Sequence, residues 1–182
     1  MQTSALLPYV VRAEYIAEND LRERFARSLG HNLFVVLAEN LDGLIKNFTT
    51  RDANALQWTS AQAFACAATN IENLMSSGAV GMQMFSSGPG SRPFILIGGH
   101  WAASSCIVLP RLFELATKNL GSTEICISIP HSGALLLFQR GNRSYRDAMR
   151  SMIKEQEGNE RKLLTFELFA WNASGIAPLR EE

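Results

Sequence analysis

Short apolar runs alternate with amphipathic stretches along the chain, and this alternation predicts strand pairs separated by helices. Apolar runs of strand length occur in three pairs, with turn residues between the two members of each pair. The pairs are residues 33–37 with 44–48, 82–85 with 94–97, and 125–129 with 134–138. An alternating segment at 164–171 predicts a closing strand. We therefore expect three β-hairpins and a final strand.

Three amphipathic segments predict long helices that pack against these strands. Thr59 and Gln62 have the spacing of a capping box at the start of the first helix, and Gly78 supplies its stop. The second helix contains Pro110, where we expect a kink or a helix start, because proline lacks the backbone donor that a helix interior needs. The third helix covers about 144–156.

Residues 1–31 are interpreted as an N-terminal helical segment. Asp20 and Glu23 have the spacing of a helix cap, and Gly30 supplies the stop. The apolar run at 5–11 is too short to span a bilayer, and charges follow it instead of a small-residue cleavage site. We therefore expect neither a signal peptide nor a membrane anchor.

The balance of residue types is that of a globular domain. Hydrophobic residues make up 47% of the chain and charged residues 19%, which favours a packed core over disorder. One core can serve a chain of 182 residues. The expected architecture is a single α+β domain over 1–182, with a mixed, mainly antiparallel sheet built of strand pairs and about three to four helices packed on it.

Charge and cysteine usage narrow the functional classes. Lys plus Arg and Asp plus Glu both total 17, so no overall field draws the chain to nucleic acid or to an anionic membrane. Cys66, Cys106 and Cys126 lie in separate apolar stretches, which is typical of free thiols in a reducing compartment. No Cys/His cluster has zinc spacing. We expect a cytoplasmic protein without metal or cofactor, and a homodimer is compatible with the composition.

A combination of short motifs runs through residues 32–179. The motifs are residues 33–38, 58–60 leading into 67–74, Ala103-Ser104, 127–131 before 134–138, and 163–171. In this order they resemble the YtpQ-like family of uncharacterised bacterial proteins. The resemblance implies the α+β architecture and a bacterial cytoplasmic setting, but no established activity. It also implies acidic residues at places where this chain has Gly99, Ala102 and Gly133, so a site that those acids serve is lost or altered here.

Two histidines are the candidate catalytic residues. His100 and His131 each follow a predicted strand end, where sheets of this type often place ligand sites. Ser104, Ser105 and Ser132 lie near them, so one interpretation is a hydrolase-like site with a histidine base. The strained GxSxG turn is absent, and no acidic residue stands nearby in sequence to orient either imidazole. Turn histidines with helix-capping serines are the favoured interpretation.

The glycines before His100 offer a second kind of site. A helix that starts after Gly98-Gly99 could bind a phosphate or carboxylate through its free backbone N–H groups. Neither GxGxxG nor GxxxxGK[ST] is present in the sequence, however. A simple close turn is the favoured interpretation.

A basic stripe on the third helix is the third candidate. Its members are Arg143, Arg146, Arg150 and Lys154. Such a stripe could bind an acidic partner or a phosphate backbone, but a solvated face with Asp147 and Glu157 nearby is the favoured interpretation. The three tryptophans are expected to anchor the core, and Trp101 is also a weak candidate for ligand contact.

These observations favour a non-catalytic protein that binds an unidentified protein or small-ligand partner, because no nucleophile, metal or nucleotide motif stands out. The first alternative is a hydrolase-like enzyme with a site at the strand ends near His100 and His131. The second is weak binding of nucleic acid or an acidic partner through the arginine stripe.

Overall fold

A computed structural model describes residues 5–19, 21, 25–41, 43–86 and 92–180. The helix cap predicted from Asp20 and Glu23 lies outside these residues, as does most of the loop predicted between residues 85 and 94. The described chain has an α+β fold with two sheets. Every strand pairing within them is antiparallel, where the sequence predicted a mixed, mainly antiparallel sheet.

The first sheet is built around one long central strand. Its described strands are β1 (Leu6–Arg12), β2 (Arg27–Gly30), β3 (Leu33–Leu41) and β4 (Leu44–Asn47). β1 pairs with β3 along its whole length, while β2 and β4 pair with β3 on the opposite edge. The predicted hairpin between 33–37 and 44–48 is thereby confirmed as β3 and β4.

The second sheet has six strands in the order β10-β9-β7-β8-β6-β5. They are β5 (Gly81–Phe85), β6 (Phe94–Gly98), β7 (Ile125–His131), β8 (Ala134–Gln139), β9 (Phe169–Asn172) and β10 (Gly175–Pro178). The two predicted hairpins β5–β6 and β7–β8 are confirmed. The closing strand is shorter than the predicted 164–171, because the N–H groups of Leu164 and Thr165 donate to the carbonyls of Pro130 and Ile129 outside the β9 ladder.

Five α-helices lie in the described part of the chain: α1 (Ala13–Glu18), α2 (Thr50–Ala55), α3 (Ser60–Ser76), α4 (Pro110–Leu120) and α5 (Arg143–Glu157). α3 starts with the predicted capping box of Thr59 and Gln62. The helix expected after Gly99 is divided into a 3-10 helix at Ala103–Val108 and α4, which begins at Pro110. In these residues, no helix has the length and apolar character that crossing a membrane requires.

The prediction of a helical segment over 1–31 was wrong for most of its described residues. Leu6–Arg12 forms β1 and Arg27–Gly30 forms β2, so only Ala13–Glu18 is a full helix. β1 is buried on both faces, because alternate residues point into cores on either side of the sheet. Gly30, taken as a helix stop, has a φ of 92° and instead leads into the turn between β2 and β3.

The two sheets share one hydrophobic core. Val10 and Val35 face it from the first sheet, Ile127 faces it from the second, and Ile71 of α3 packs into the same cluster. α1 covers the outer face of the first sheet, and α5 covers the outer face of the second. Both faces of β7 and β8 are therefore covered, as their continuous apolar runs indicate.

Candidate functional site

A cleft lies where the turn between β7 and β8 meets strand β1 of the other sheet. It consists of two cavities that share Ser132 and Lys162, with volumes of about 430 and 470 Å³. The first, the tyrosine chamber, is lined among others by Tyr9, Val10, Tyr15, Leu163 and Leu164. The second, the histidine chamber, is lined among others by Gly99, His100, Trp101, His131 and Arg161. The structure thus brings the two predicted histidines into one chamber.

Tyr9 of β1 connects the chambers. Its ring meets those of Tyr15 and Trp101 edge-on, with centroids 6.1 and 5.2 Å apart, and it lines the tyrosine chamber together with Ser132. Burial raises the pKa of Tyr9, and the side chain of Ser132 only partly opposes this. Tyr9 is therefore a neutral phenol at physiological pH, and it links the first sheet to the β7–β8 turn of the second.

His100 is held as a neutral imidazole. Its Nδ1 accepts the backbone N–H of Ala102 at 3.2 Å, and burial lowers the pKa of the ring below its ordinary 6.5. Because Nδ1 accepts, the single ring proton lies on Nε2. His100 therefore presents a hydrogen-bond donor, where a general base would need a free lone pair.

His131 uses both of its ring nitrogens inside the protein. Nδ1 accepts the backbone N–H of Gly133 at 3.1 Å, so Nε2 carries the proton and donates it to Glu157 Oε2 at 3.0 Å. A Cβ at position 133 would lie 3.3 Å from the imidazole, so glycine lets the turn close on the ring. With both nitrogens engaged, His131 orients the turn and offers no base to a ligand.

Glu157 is the residue that sequence reasoning did not connect with this site. It ends α5, 26 residues after His131, and reaches the imidazole because α5 packs on the outer face of the second sheet. Lys162 was missed for a similar reason. Its loop is held beside the cleft by the Leu164 N–H bond to Pro130 and by a bridge between Leu163 and His131. No local sequence signal marks either contact.

The serine predictions are corrected by the structure. Ser104 and Ser105 are fully buried, and their hydroxyls have no hydrogen-bond partner in the described part of the chain. They do not cap a helix, because the 3-10 helix containing them begins after Ala102 and packs into the core. Ser104 touches the site only through its backbone N–H, which donates to the Ser132 carbonyl at 3.0 Å. Ser132 is the one of the three predicted serines that lines the cleft.

Charged side chains surround the entrance. Glu160, Arg161 and Lys162 are exposed around the histidine chamber, which gives it two cations against one carboxylate. At the tyrosine chamber, Arg12 is paired with Glu14 at 3.4 Å. The lining of the histidine chamber therefore has an excess of one positive charge, whereas Glu18 gives the tyrosine chamber a second carboxylate.

The basic stripe on α5 is not the exposed row that the sequence predicted. Arg146 is 8% exposed and its Nη1 donates to the Gly141 carbonyl at 3.0 Å, because it lies on the side of the helix that carries Met149 and faces the core. Arg143 and Arg150 are both paired with Asp147, at 3.8 and 2.7 Å. Lys154 is exposed on the last turn. Arg146 is thus buried, and Arg143 and Arg150 share the single carboxylate of Asp147.

The thiols and the acidic groups offer no metal chemistry among the residues described. Cys66, Cys106 and Cys126 form no disulfide bond with one another, and burial raises the pKa of Cys106 to about 12, so its thiol stays protonated. His, Cys, Asp and Glu side chains of the described ranges do not form a group of three that could hold a metal ion.

Comparison with known proteins found no matching family model, no matching curated protein and no matching solved structure. The resemblance to the YtpQ-like family therefore stays a prediction. Gly99 and Gly133, two of the positions where that resemblance implies acids, line the histidine chamber.

Proposed function

We propose that this chain is a non-catalytic ligand-binding protein whose cleft takes a small molecule with an anionic group at one end and an apolar or aromatic part at the other. The observation that carries the proposal is the meeting of two chambers of different chemistry at Ser132 and Lys162. A bacterial cytoplasmic setting and membership of the YtpQ-like family belong to the same proposal.

The tyrosine chamber suits the apolar part of such a ligand. Its apolar lining includes Tyr9, Val10, Tyr15, Leu163 and Leu164, and the charged Arg12, Glu14 and Glu18 line it as well. Each chamber has a volume within the range of about 300–1,000 Å³ typical of small-molecule sites. Apolar walls with a few placed polar groups are the usual composition of such sites.

The histidine chamber suits the anionic group. Lys162 and Arg161 bring two positive charges to it, and neutral His100 offers its Nε2–H. Ser132 supplies a hydroxyl at the boundary of the chambers. Hydrogen bonds from charged donors are roughly twice as strong as neutral ones, so a carboxylate or phosphate fits better here than an amide or an amine.

The hydrolase-like alternative has less support. His131 is engaged at both ring nitrogens, His100 presents a proton on its outer nitrogen, and Ser104 is buried. Binding of nucleic acid through α5 also has less support, since Asp147 already pairs with two of the four cations.

A matched series of small probes tests the proposal. Phenylacetate, phenylacetamide and 2-phenylethylamine share one ring and differ in the charge of the head group. In isothermal titration calorimetry, we expect phenylacetate to bind most tightly of the three. Lys162→Met should weaken the binding of phenylacetate by about tenfold or more, which is the usual effect of losing a charge-assisted hydrogen bond.

Lys118→Met is the matched control, because Lys118 lies on the last turn of α4 and lines neither chamber. This variant is expected to bind phenylacetate like the wild type. Equal affinity for the three probes, or wild-type affinity in the Lys162 variant, would overturn the assignment of the anionic end.

A further inference from the structure

Strand β5 forms one edge of the second sheet. It is the terminal strand of that sheet and pairs with β6 alone among the strands described. Three of the five large apolar side chains that are exposed in the described ranges belong to it: Met82 at 40%, Met84 at 59% and Phe85 at 40%. Exposed edges are normally protected by charges, proline or a bulge, and Gly81–Phe85 contains none of these.

Exposed apolar side chains stand on both faces of this edge, and Gln83 is its one polar side chain. Met82 and Met84 stand opposite Ile97 and Ile95, so they share the face of the sheet that packs on α3 and α4. Phe85 lies on the other face, where its ring stacks on Phe94 with centroids 5.2 Å apart. A cavity of about 310 Å³ flanks Met82 between α3 and α4.

We infer that β5 pairs antiparallel with β5 of a second copy of this chain, so that the two second sheets become one continuous sheet. A two-fold axis at Gln83 places the two copies of Gln83 opposite each other. Each Met82 then stands opposite Met84 of the second copy, and each Phe85 stands opposite its Gly81.

The strand's own sequence favours a second copy over an unrelated peptide. In this register Phe85, the largest side chain of the strand, packs over Gly81 of the second copy, which has no side chain. An aromatic residue opposite a glycine at a sheet edge is a known stabilising pair. Met82 and Met84 of one copy contact Met84 and Met82 of the other, next to the cavity that flanks Met82. No two like charges stand opposite each other in this pairing.

The expected association is concentration-dependent. Pairing five residues of each chain buries less surface than the roughly 800 Å² per partner that is typical of stable complexes. Sedimentation velocity of the wild type over roughly 5 to 500 μM should therefore show a shift from monomer to dimer.

A charge pair tests the register. Met84→Lys places an ammonium group on the apolar pairing and should weaken the dimer at least about tenfold, through lost apolar burial and the cost of desolvating the charge. Adding Met82→Glu to the same chain puts a carboxylate opposite that ammonium in the second copy, so the double variant should regain much of the dimer.

Leu44→Lys is the control, because Leu44 is 70% exposed on the other sheet and its change should leave the dimer unaffected. Circular dichroism of each variant verifies that the fold is intact. A wild type that stays monomeric over the whole concentration range overturns the inference, as does a Met84→Lys variant that dimerises like the wild type. A double variant that stays as dissociated as Met84→Lys overturns the register.

Discussion

At the scale of single residues, hydrogen bonds to backbone N–H groups decide what the two histidines can do. Each imidazole accepts at Nδ1 from an N–H two residues later, Ala102 for His100 and Gly133 for His131. The sequence places both histidines after strands but contains no sign of these short-range bonds. A histidine that would otherwise be a candidate base becomes a fixed donor, and this favours the proposed binding function over the hydrolase-like alternative.

The neutral state of His100 predicts a pH dependence of stability. Burial lowers its pKa in the folded protein below 6.5, so the unfolded chain binds more protons as the pH falls through 6.5. The contribution of neutral His100 to the free energy of unfolding is complete above pH 6.5, and it is lost as the pH falls toward the lower pKa of the folded protein. In His100→Asn, whose side-chain oxygen can still accept the Ala102 N–H, this loss disappears. Urea unfolding at about pH 7 and pH 5 should show a steeper fall for the wild type. Parallel falls would contradict the prediction.

At the scale of secondary-structure elements, the sequence predicts features that depend on neighbouring residues but not strand pairings between distant segments. The hairpins β5–β6 and β7–β8 and the cap of α3 follow from neighbouring residues, and all three were predicted. β1 was missed because its partner β3 lies more than twenty residues away and an apolar run of seven residues fits either state. The contact between Glu157 and His131 was hidden for the same reason, since it depends on how α5 packs.

The capping box of α3 is a test at this scale. The Thr59 hydroxyl accepts the Gln62 N–H at 3.2 Å, and the Gln62 side chain accepts the Thr59 N–H at 2.8 Å. Thr59→Ala should lower the free energy of unfolding by about 1 kcal/mol, because it leaves a helix-start N–H without its acceptor. Chemical denaturation measures this change. Thr69→Ala, on an exposed turn of the same helix, should cost less than about 0.5 kcal/mol. Equal losses in both variants would mean that the cap contributes nothing specific.

At the scale of the whole molecule, the cleft depends on how the two sheets sit against each other. Tyr9 comes from the first sheet and Ser132 from the second, and His31 of the first sheet's β2–β3 turn bonds the Leu168 carbonyl at 3.0 Å. α3 packs on β1 of the first sheet, where Asn70 donates to the Leu6 carbonyl at 2.8 Å. A ligand that touches both chambers therefore bridges elements that meet only in the completed fold.

This shared core predicts that both sheets unfold together. Ile71 of α3 is fully buried in the cluster that both sheets share, so Ile71→Ala should lower the free energy of unfolding by about 2–5 kcal/mol through lost burial and the cavity left behind. Leu44→Ala removes the same number of carbons from a side chain that is 70% exposed, and it should cost less than about 0.5 kcal/mol.

Coincidence of two probes decides whether the sheets form one cooperative unit. Far-ultraviolet circular dichroism follows the secondary structure of both sheets, while tryptophan fluorescence reports on Trp58 beside α2, Trp101 in the cleft and Trp171 in β9. The two signals should give one transition at the same urea concentration in the wild type, and both should move together in Ile71→Ala. If the signals separate in the variant, each sheet has a core of its own and the expectation of a single domain fails.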